Sequence, residues 1–240
     1  MWANLQTEFI KTFIRDNRWK IFLQGFENTM IITLVAAVIG IVCGTLVSLI
    51  HQLATAKVSK NGRSVGQWII FILDKICQAY VAVMRGTPLA VQLTIMAFIV
   101  MAGFSNKILV CCVAFGVNSG AYVSEVIRGG IESVDVGQTE AGRSLGLSHL
   151  STLGMIVLPQ AIKSILPALC NEGIAILKET SIVGLIAVCD LTRASDLVRS
   201  RTMSPYFPLI SVAIVYFILV YGLSKAVNKL ERRMKRSDRS

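Results

Sequence analysis

Glu140-Ala141-Gly142-Arg143-Ser144-Leu145-Gly146-Leu147-Ser148-His149-Leu150-Ser151-Thr152-Leu153-Gly154-Met155-Ile156-Val157-Leu158-Pro159 joins one apolar run, Ile108 to Val126, to another that starts at Ile156. Residues 131–152 are polar and rich in Gly and Ser, which predicts a loop carrying short helices. Two such helices turning at Gly146 would make a compact elbow. Ala141, Gly142 and Gly146 have almost no side chain, so a partner's surface could approach the backbone closely there. Glu140 reads as lying near a helix start, where a negative charge complements the helix dipole. Leu145, Leu147 and Leu150 are expected to pack the elbow against its own bundle, and Pro159 to mark where the chain re-enters a bilayer.

A bilayer is implied by the flanks and by the composition. Of the residues, 54% are apolar and only 16% charged, against roughly 25% charged in soluble domains, and mean hydropathy is +0.64. A soluble fold of 240 residues lacks the interior to hide so much apolar surface. Ile31 to Ile50 is long enough to span and carries no charge, with Gly40 and Gly44 forming a small-xxx-small pair suited to close helix packing. Gln67 to Met84 and Leu89 to Gly103 read most simply as one crossing broken at Arg85-Gly86-Thr87-Pro88, with two separate spans as the alternative, because Pro88 has no amide to donate and disfavours a helical residue before it. Ile108 to Val126, an irregular stretch from Ile156 to Val188 and Phe207 to Leu223 complete five crossings, an all-α polytopic membrane bundle. The expected division is an N-terminal amphipathic segment over 1–27, a membrane domain over 28–226 with its loop at 131–159, and a basic tail over 227–240.

Charge orients the chain. The formal net charge is +10, from 24 Lys and Arg against 14 Asp and Glu. Lys57 to Arg63 and the C-terminal set Lys225, Lys229, Arg232, Arg233, Lys235, Arg236 and Arg239 flank apolar runs, so both are placed in the cytoplasm by the positive-inside rule rather than on nucleic acid. Five crossings then put the N-terminus outside. The segment 1–27 has no continuous apolar core and is read as an amphipathic surface helix, not a cleavable signal. Six cysteines without CxxC spacing read as small buried hydrophobes. The chain lacks a G-x-x-x-x-G-K-[ST] loop, so any ATP that drives it is bound by another chain.

The spacing Glu140-Ala141-Gly142, three residues, Gly146, nine residues, Ile156-x-Leu158-Pro159 resembles the EAA loop of ABC importer permeases, with Gly142 in place of the second Ala. The likeness extends through Met84-Arg85-Gly86-Thr87-Pro88-Leu89-Ala90-Val91-Gln92-Leu93, through Ala121-Tyr122-Val123-Ser124-Glu125-Val126-Ile127-Arg128-Gly129-Gly130-Ile131, and through Leu177-Lys178-Glu179-Thr180-Ser181-Ile182. These are similar to segments of the polar amino acid permeases of histidine/glutamine type. The resemblance covers roughly residues 25–225; Val136, Cys170 and Glu179 depart from the usual Lys, Gly and Asp.

That resemblance implies the type I ABC importer permease fold with cytoplasmic coupling helices, in a bacterial plasma membrane. It implies a non-enzymatic subunit that pairs with itself or a sister permease, with two ATPase copies docked on the elbows and an extracytoplasmic solute-binding protein delivering a polar amino acid. It implies no cofactor on this chain; ATP and Mg would sit on the ATPase. The residues expected to meet the ATPase are Glu140, Ala141, Gly142, Arg143, Gly146 and Leu147. Another small polar cargo, such as an opine, is the alternative. A secondary carrier predicts inverted repeats or a longer chain, and an intramembrane enzyme would need a nucleophile with a base or a metal cluster; neither signature is present in the sequence.

Charges inside apolar segments cost about 2.5–3.5 kcal/mol each at mid-membrane and so face protein or water. Glu172 and Glu179 are seven apart on one helical face, and Asn118, Tyr122 and Glu125 are spaced i, i+4, i+7 on another. Glu172, Glu179, Asn118 and Tyr122 are therefore the expected lining of a path for a zwitterion, with Glu125 a structural partner for Arg128 or Lys178.

Overall fold

The computed structural model describes residues 2–56 and 65–236; the expected cytoplasmic connection Lys57 to Arg63 and the last four residues of the basic tail lie outside them. Among the described residues there are helices and no strands. In chain order the α-helices are α1 (Trp2–Phe9), α2 (Trp19–Ala56), α3 (Val65–Gly86), α4 (Leu89–Ile95), α5 (Lys107–Glu132), α6 (Val136–Ser144), α7 (His149–Thr152), α8 (Leu158–Glu179), α9 (Leu191–Thr202) and α10 (Phe207–Arg236).

Among the described residues, five helical segments are long and apolar enough to cross a membrane: Trp19–Thr55, Val65–Gly86, Lys107–Glu132, His149–Ile186 and Phe207–Met234. The second is α3 alone. The chain breaks at Thr87 and Pro88, as Pro88 predicted, but the following apolar helix Leu89–Val100 is a separate, shorter element. The first span begins at Trp19, so residues 19–27 continue into it instead of forming part of a surface helix. Asp16 and Asn17, both at positive φ, make the turn between that span and the segment before it. The basic tail is likewise helical to Arg236, an extension of α10. Leu34, Val38, Phe217 and Ile218 expose more than three-fifths of their surface, as helices do when hydrocarbon supplies the contacts that a soluble core would.

The chain divides into two compact units. The first comprises residues 1–36, 90–115 and 173–225. Its core gathers Phe22, Leu191, Ala194, Val198 and Val212, with Phe13, Phe26 and Tyr216 packed against them. Asp190 N-caps α9, accepting hydrogen bonds from the amides of Thr192 and Arg193 at 2.9 and 3.0 Å. A cap of this kind satisfies helix-start amides that have no intrahelical partner. Asn28 donates to the Cys189 carbonyl at 2.8 Å, fastening the start of the first span to the loop before α9.

The second unit comprises 37–89, 116–172 and 226–240. Here the expected small-residue contact is present. A Cβ on Gly40 would lie 2.8 Å from the Ser119 hydroxyl oxygen, and one on Gly44 would lie 2.5 Å from Val123 Cγ1 and 2.8 Å from the Gly120 carbonyl oxygen. Glycine is what lets α2 and α5 touch backbone to backbone. Helix α8 runs unbroken through Pro167.

Candidate functional site

The elbow is two helices with a defined hinge. Asp135 caps α6 by accepting from the Gly137 amide at 2.7 Å, so the charge at this helix start is Asp135, and Glu140 sits in mid-helix, contrary to the sequence expectation. At the other end the Leu147 amide bonds the Gly142 carbonyl at 3.2 Å and the Gly146 amide bonds that of Arg143 at 3.0 Å. With Gly146 at φ +85° this is a Schellman stop, which needs a residue without a Cβ. Arg143 Nη1 donates to the Leu147 carbonyl at 2.8 Å and clasps the turn from outside. Ser148 then caps α7.

Two expectations about the elbow are corrected. Gly142 is buried, and a Cβ there would meet Thr152 at 2.7 Å and Ile156 at 2.9 Å. Its smallness serves packing of α6 on the returning arm, not approach by a partner. Leu145 and Leu150 do not pack inward: they are 81% and 45% exposed, and Leu147 is half-buried. An elbow whose tip shows leucine to solvent has an unfinished apolar surface. Gln160 of α8 also donates to Gln138 of α6 at 3.3 Å, and just past α5 the Ser133 hydroxyl meets that of Ser164 on α8 at 3.2 Å.

The polar groups of the second unit form three clusters. Asn118 is buried and donates to the Met84 carbonyl at 3.2 Å. Tyr122 lies under the Arg85 guanidinium, 5.7 Å from ring centroid to carbon. Asn118, Tyr122 and Glu125 thus do share a face, and that face meets the end of α3. Glu172 instead accepts from the Ser119 hydroxyl at 2.8 Å, one residue along from Asn118 on α5. Glu125 pairs with Arg128 at 2.9 Å, as expected, and also with Arg85 at 3.0 Å; Arg128 reaches on to Glu132 at 2.8 Å. Glu179 closes α8 seven residues beyond Glu172 and belongs to the first unit.

One cluster was missed from sequence. Asp74, only 5% exposed, takes His51 Nδ1 at 2.8 Å on one oxygen and the Gln78 amide at 2.8 Å on the other. Asp74 interrupts the apolar run Gln67 to Met84, and His51, Asp74 and Gln78 are the signal that a polar contact joins α2 to α3. In the first unit Asp190 is fully buried, with the Tyr216 hydroxyl at 3.4 Å. Burial pushes its carboxyl above the ordinary value of 3.8, while the amides of Arg193 and Thr192 pull it back.

Residues 62–236 match the family described as "Binding-protein-dependent transport system inner membrane component". The chain is 36% identical over 219 residues to the arginine transport system permease protein ArtQ of Bacillus subtilis, covering 90% of this chain and 93% of that one. It is 30% identical over 222 residues to the glutamate/aspartate import permease protein GltK of Escherichia coli O6:H1, covering 88% and 92%. Among solved structures, a chain of an amino acid ABC transporter crystallised with histidines superposes with a TM-score of 0.77 at 36% identity, over 89% of this chain and 94% of that one.

Proposed function

This chain belongs to the family of inner membrane components of binding-protein-dependent transport systems, and from that membership we propose that it is the permease subunit of an ATP-binding-cassette importer for polar amino acids. Its helices form the path through the membrane. ATP and Mg²⁺ bind a separate ATPase chain, two copies of which engage a pair of permeases, identical or sister. An extracytoplasmic binding protein delivers the amino acid, and the C-terminal end of α10, with Lys225, Lys229, Arg232 and Arg233, lies in the cytoplasm.

The observation that carries this reading is the elbow. Gly142 seats α6 against Thr152 and Ile156, and the tip is unfinished, because Leu145 is 81% exposed. A partner that covers Leu145 and Leu147 and contacts Ala141, Arg143 and Glu140 gains roughly 1.5–3 kcal/mol from burying Leu145 and less from Leu147, which is already half-buried. A push on the tip passes through Ile156 into α8. Along α8 it reaches Glu172, whose hydrogen bond to Ser119 ties α8 to α5. Moving α8 relative to α5 then opens or closes a path lined by Glu172, Asn118 and Tyr122. A carboxylate there attracts the ammonium group of a zwitterion, and its desolvation cost is offset only when such a partner or water is present.

The test is co-purification and uptake. The chain, its ATPase and its binding protein are reconstituted in vesicles, and uptake of labelled amino acids is followed with and without ATP. Leu145→Asp is expected to abolish co-purification of the ATPase and ATP-driven uptake together. Unchanged ATP-driven uptake in that variant, or labelling of the elbow only from the extracytoplasmic side, would overturn the reading.

A further inference from the structure

Helices α2, α3 and α5 line a half-open cavity of about 380 Å³ within the second unit. It is lined by none of the four residues assigned to the path above. A stripe of α3 at positions 74, 77, 78, 81, 82 and 85 faces it, following the i, i+3, i+4 spacing of one helical face. Asp74 and Arg85 mark its ends, eleven residues and about 16 Å apart along the helix axis.

The two ends differ in chemistry and the waist between them is apolar. At one end stands the buried Asp74 carboxylate with His51 and Gln78. At the other, Glu125 lies between two guanidiniums, those of Arg85 and Arg128, which remain 43% and 41% exposed. Val47, Val81 and Ala82 supply the waist. Of the three carboxylates Asp74, Glu125 and Glu132, the last two pair with the two guanidiniums. Asp74 has no guanidinium beside it; its partners are the His51 imidazole and the Gln78 amide. A buried carboxylate is stabilised most by a full positive charge in direct contact.

We infer that this cavity is a binding station for an amino acid with a cationic side chain, arginine or lysine. The α-carboxylate meets Arg85 and Arg128, and the α-ammonium meets Glu125. The aliphatic stem lies along Val81 and Ala82, and the side-chain cation takes the place of the His51 imidazole at Asp74. An acidic amino acid would set a second carboxylate against Asp74 and is repelled. This rests on the amino acid importer reading and narrows its cargo, which likeness alone leaves open, since the relatives include an arginine permease and a glutamate/aspartate permease.

The experiment is calorimetric binding to the purified permease–ATPase complex, using L-arginine, L-citrulline (the neutral isostere), agmatine (which lacks the carboxylate) and L-glutamate. Arginine should bind at least about tenfold more tightly than citrulline or agmatine, as expected for truncating one partner of a desolvated charge pair, with glutamate weakest. In Asp74→Asn the arginine to citrulline ratio should fall towards one. Val81→Phe fills the waist without touching a charge and should weaken both ligands alike; it carries the test if Asp74→Asn does not assemble. An arginine to citrulline ratio unchanged by Asp74→Asn, or arginine binding unchanged by Val81→Phe, overturns the inference. Normal ATP-driven uptake with no preference for cationic amino acids also overturns it while leaving the importer reading intact. Absence of ATP-driven uptake of any amino acid refutes that underlying reading instead.

Discussion

Gly44→Ala should destabilise the protein more than Gly40→Ala, although both replace a glycine on the same face of α2. At Gly40 the obstacles are the Ser119 hydroxyl at 2.8 Å and the Ser119 Cβ at 3.0 Å, and the nearest backbone atom is 3.5 Å away. The hydroxyl can turn aside only by giving up its bond to Glu172 and the Cβ must shift by a few tenths of an ångström, but alanine gains about 1 kcal/mol of helix propensity over glycine, so the net loss is smaller than at Gly44. At Gly44 the obstacles are Val123 Cγ1 at 2.5 Å, Val123 Cβ at 2.6 Å and the Gly120 carbonyl oxygen at 2.8 Å. Two of these three cannot rotate away, so α2 and α5 must part. Overpacking of this kind costs up to about 3 kcal/mol, leaving about 2 kcal/mol after the propensity gain. At roughly 2–4 °C per kcal/mol for a chain of this size, the melting temperature should fall by about 4–8 °C. Val123→Ala added to Gly44→Ala should restore only part of the loss, because it removes Cγ1 and leaves Cβ and the carbonyl in place. The assay is thermal unfolding of the purified protein in detergent, followed by intrinsic fluorescence. Equal melting temperatures for Gly44→Ala and wild type, or a larger drop for Gly40→Ala, would refute close backbone contact between α2 and α5.

Gly146→Val puts a β-branched residue at φ +85°; strain of about 1–3 kcal/mol should open the turn and lower ATP-driven uptake by about tenfold or more, with ATPase activity of the complex measured in parallel to show uncoupling. Glu172→Gln keeps the Ser119 contact but removes the charge, so vesicle uptake of a cationic amino acid should fall while the complex still assembles; unchanged kinetics would count against a path role. Asp190→Ala leaves the Thr192 and Arg193 amides without their acceptor and should cost about 0.5–2 kcal/mol, whereas Asp190→Asn retains the cap and should cost less, both read as melting temperatures. Because burial holds the Asp190 carboxyl above 3.8, the folded state binds a proton more readily than the unfolded chain. This group's contribution to stability is therefore greatest below that pH and is lost as pH rises through the interval just above it; the loss should be absent from Asp190→Asn in a pH series of melting curves.

The number and approximate place of the spans were legible because each requires an uninterrupted apolar run, a property of consecutive residues. The elbow was legible for a similar reason: the turn at Gly146 and the break before Leu158-Pro159 act through local backbone geometry. The roles assigned to Gly142, Leu145 and Leu150 were misjudged because burial depends on what stands opposite. Thr152 and Ile156 happen to fill the space beside Gly142, whereas Leu145 is left 81% exposed among the described residues. Helical spacing correctly put Asn118, Tyr122 and Glu125 on one face, but could not tell that Ser119, from the adjoining face, would be the residue to meet Glu172.

From consecutive residues alone come the helices, their apolar character, the small-residue seam at Gly40 and Gly44 and the hinge at Gly146, since each depends on conformational preference and solvation within a turn or two of chain. Only tertiary structure decided which charges meet. Asp74 found His51, twenty-three residues away, and Arg85 found Glu125 across α3 and α5. Such pairings are set by how rigid helices pack, and a buried charge accepts whichever opposite charge or hydrogen-bond donor that packing brings within about 3 Å.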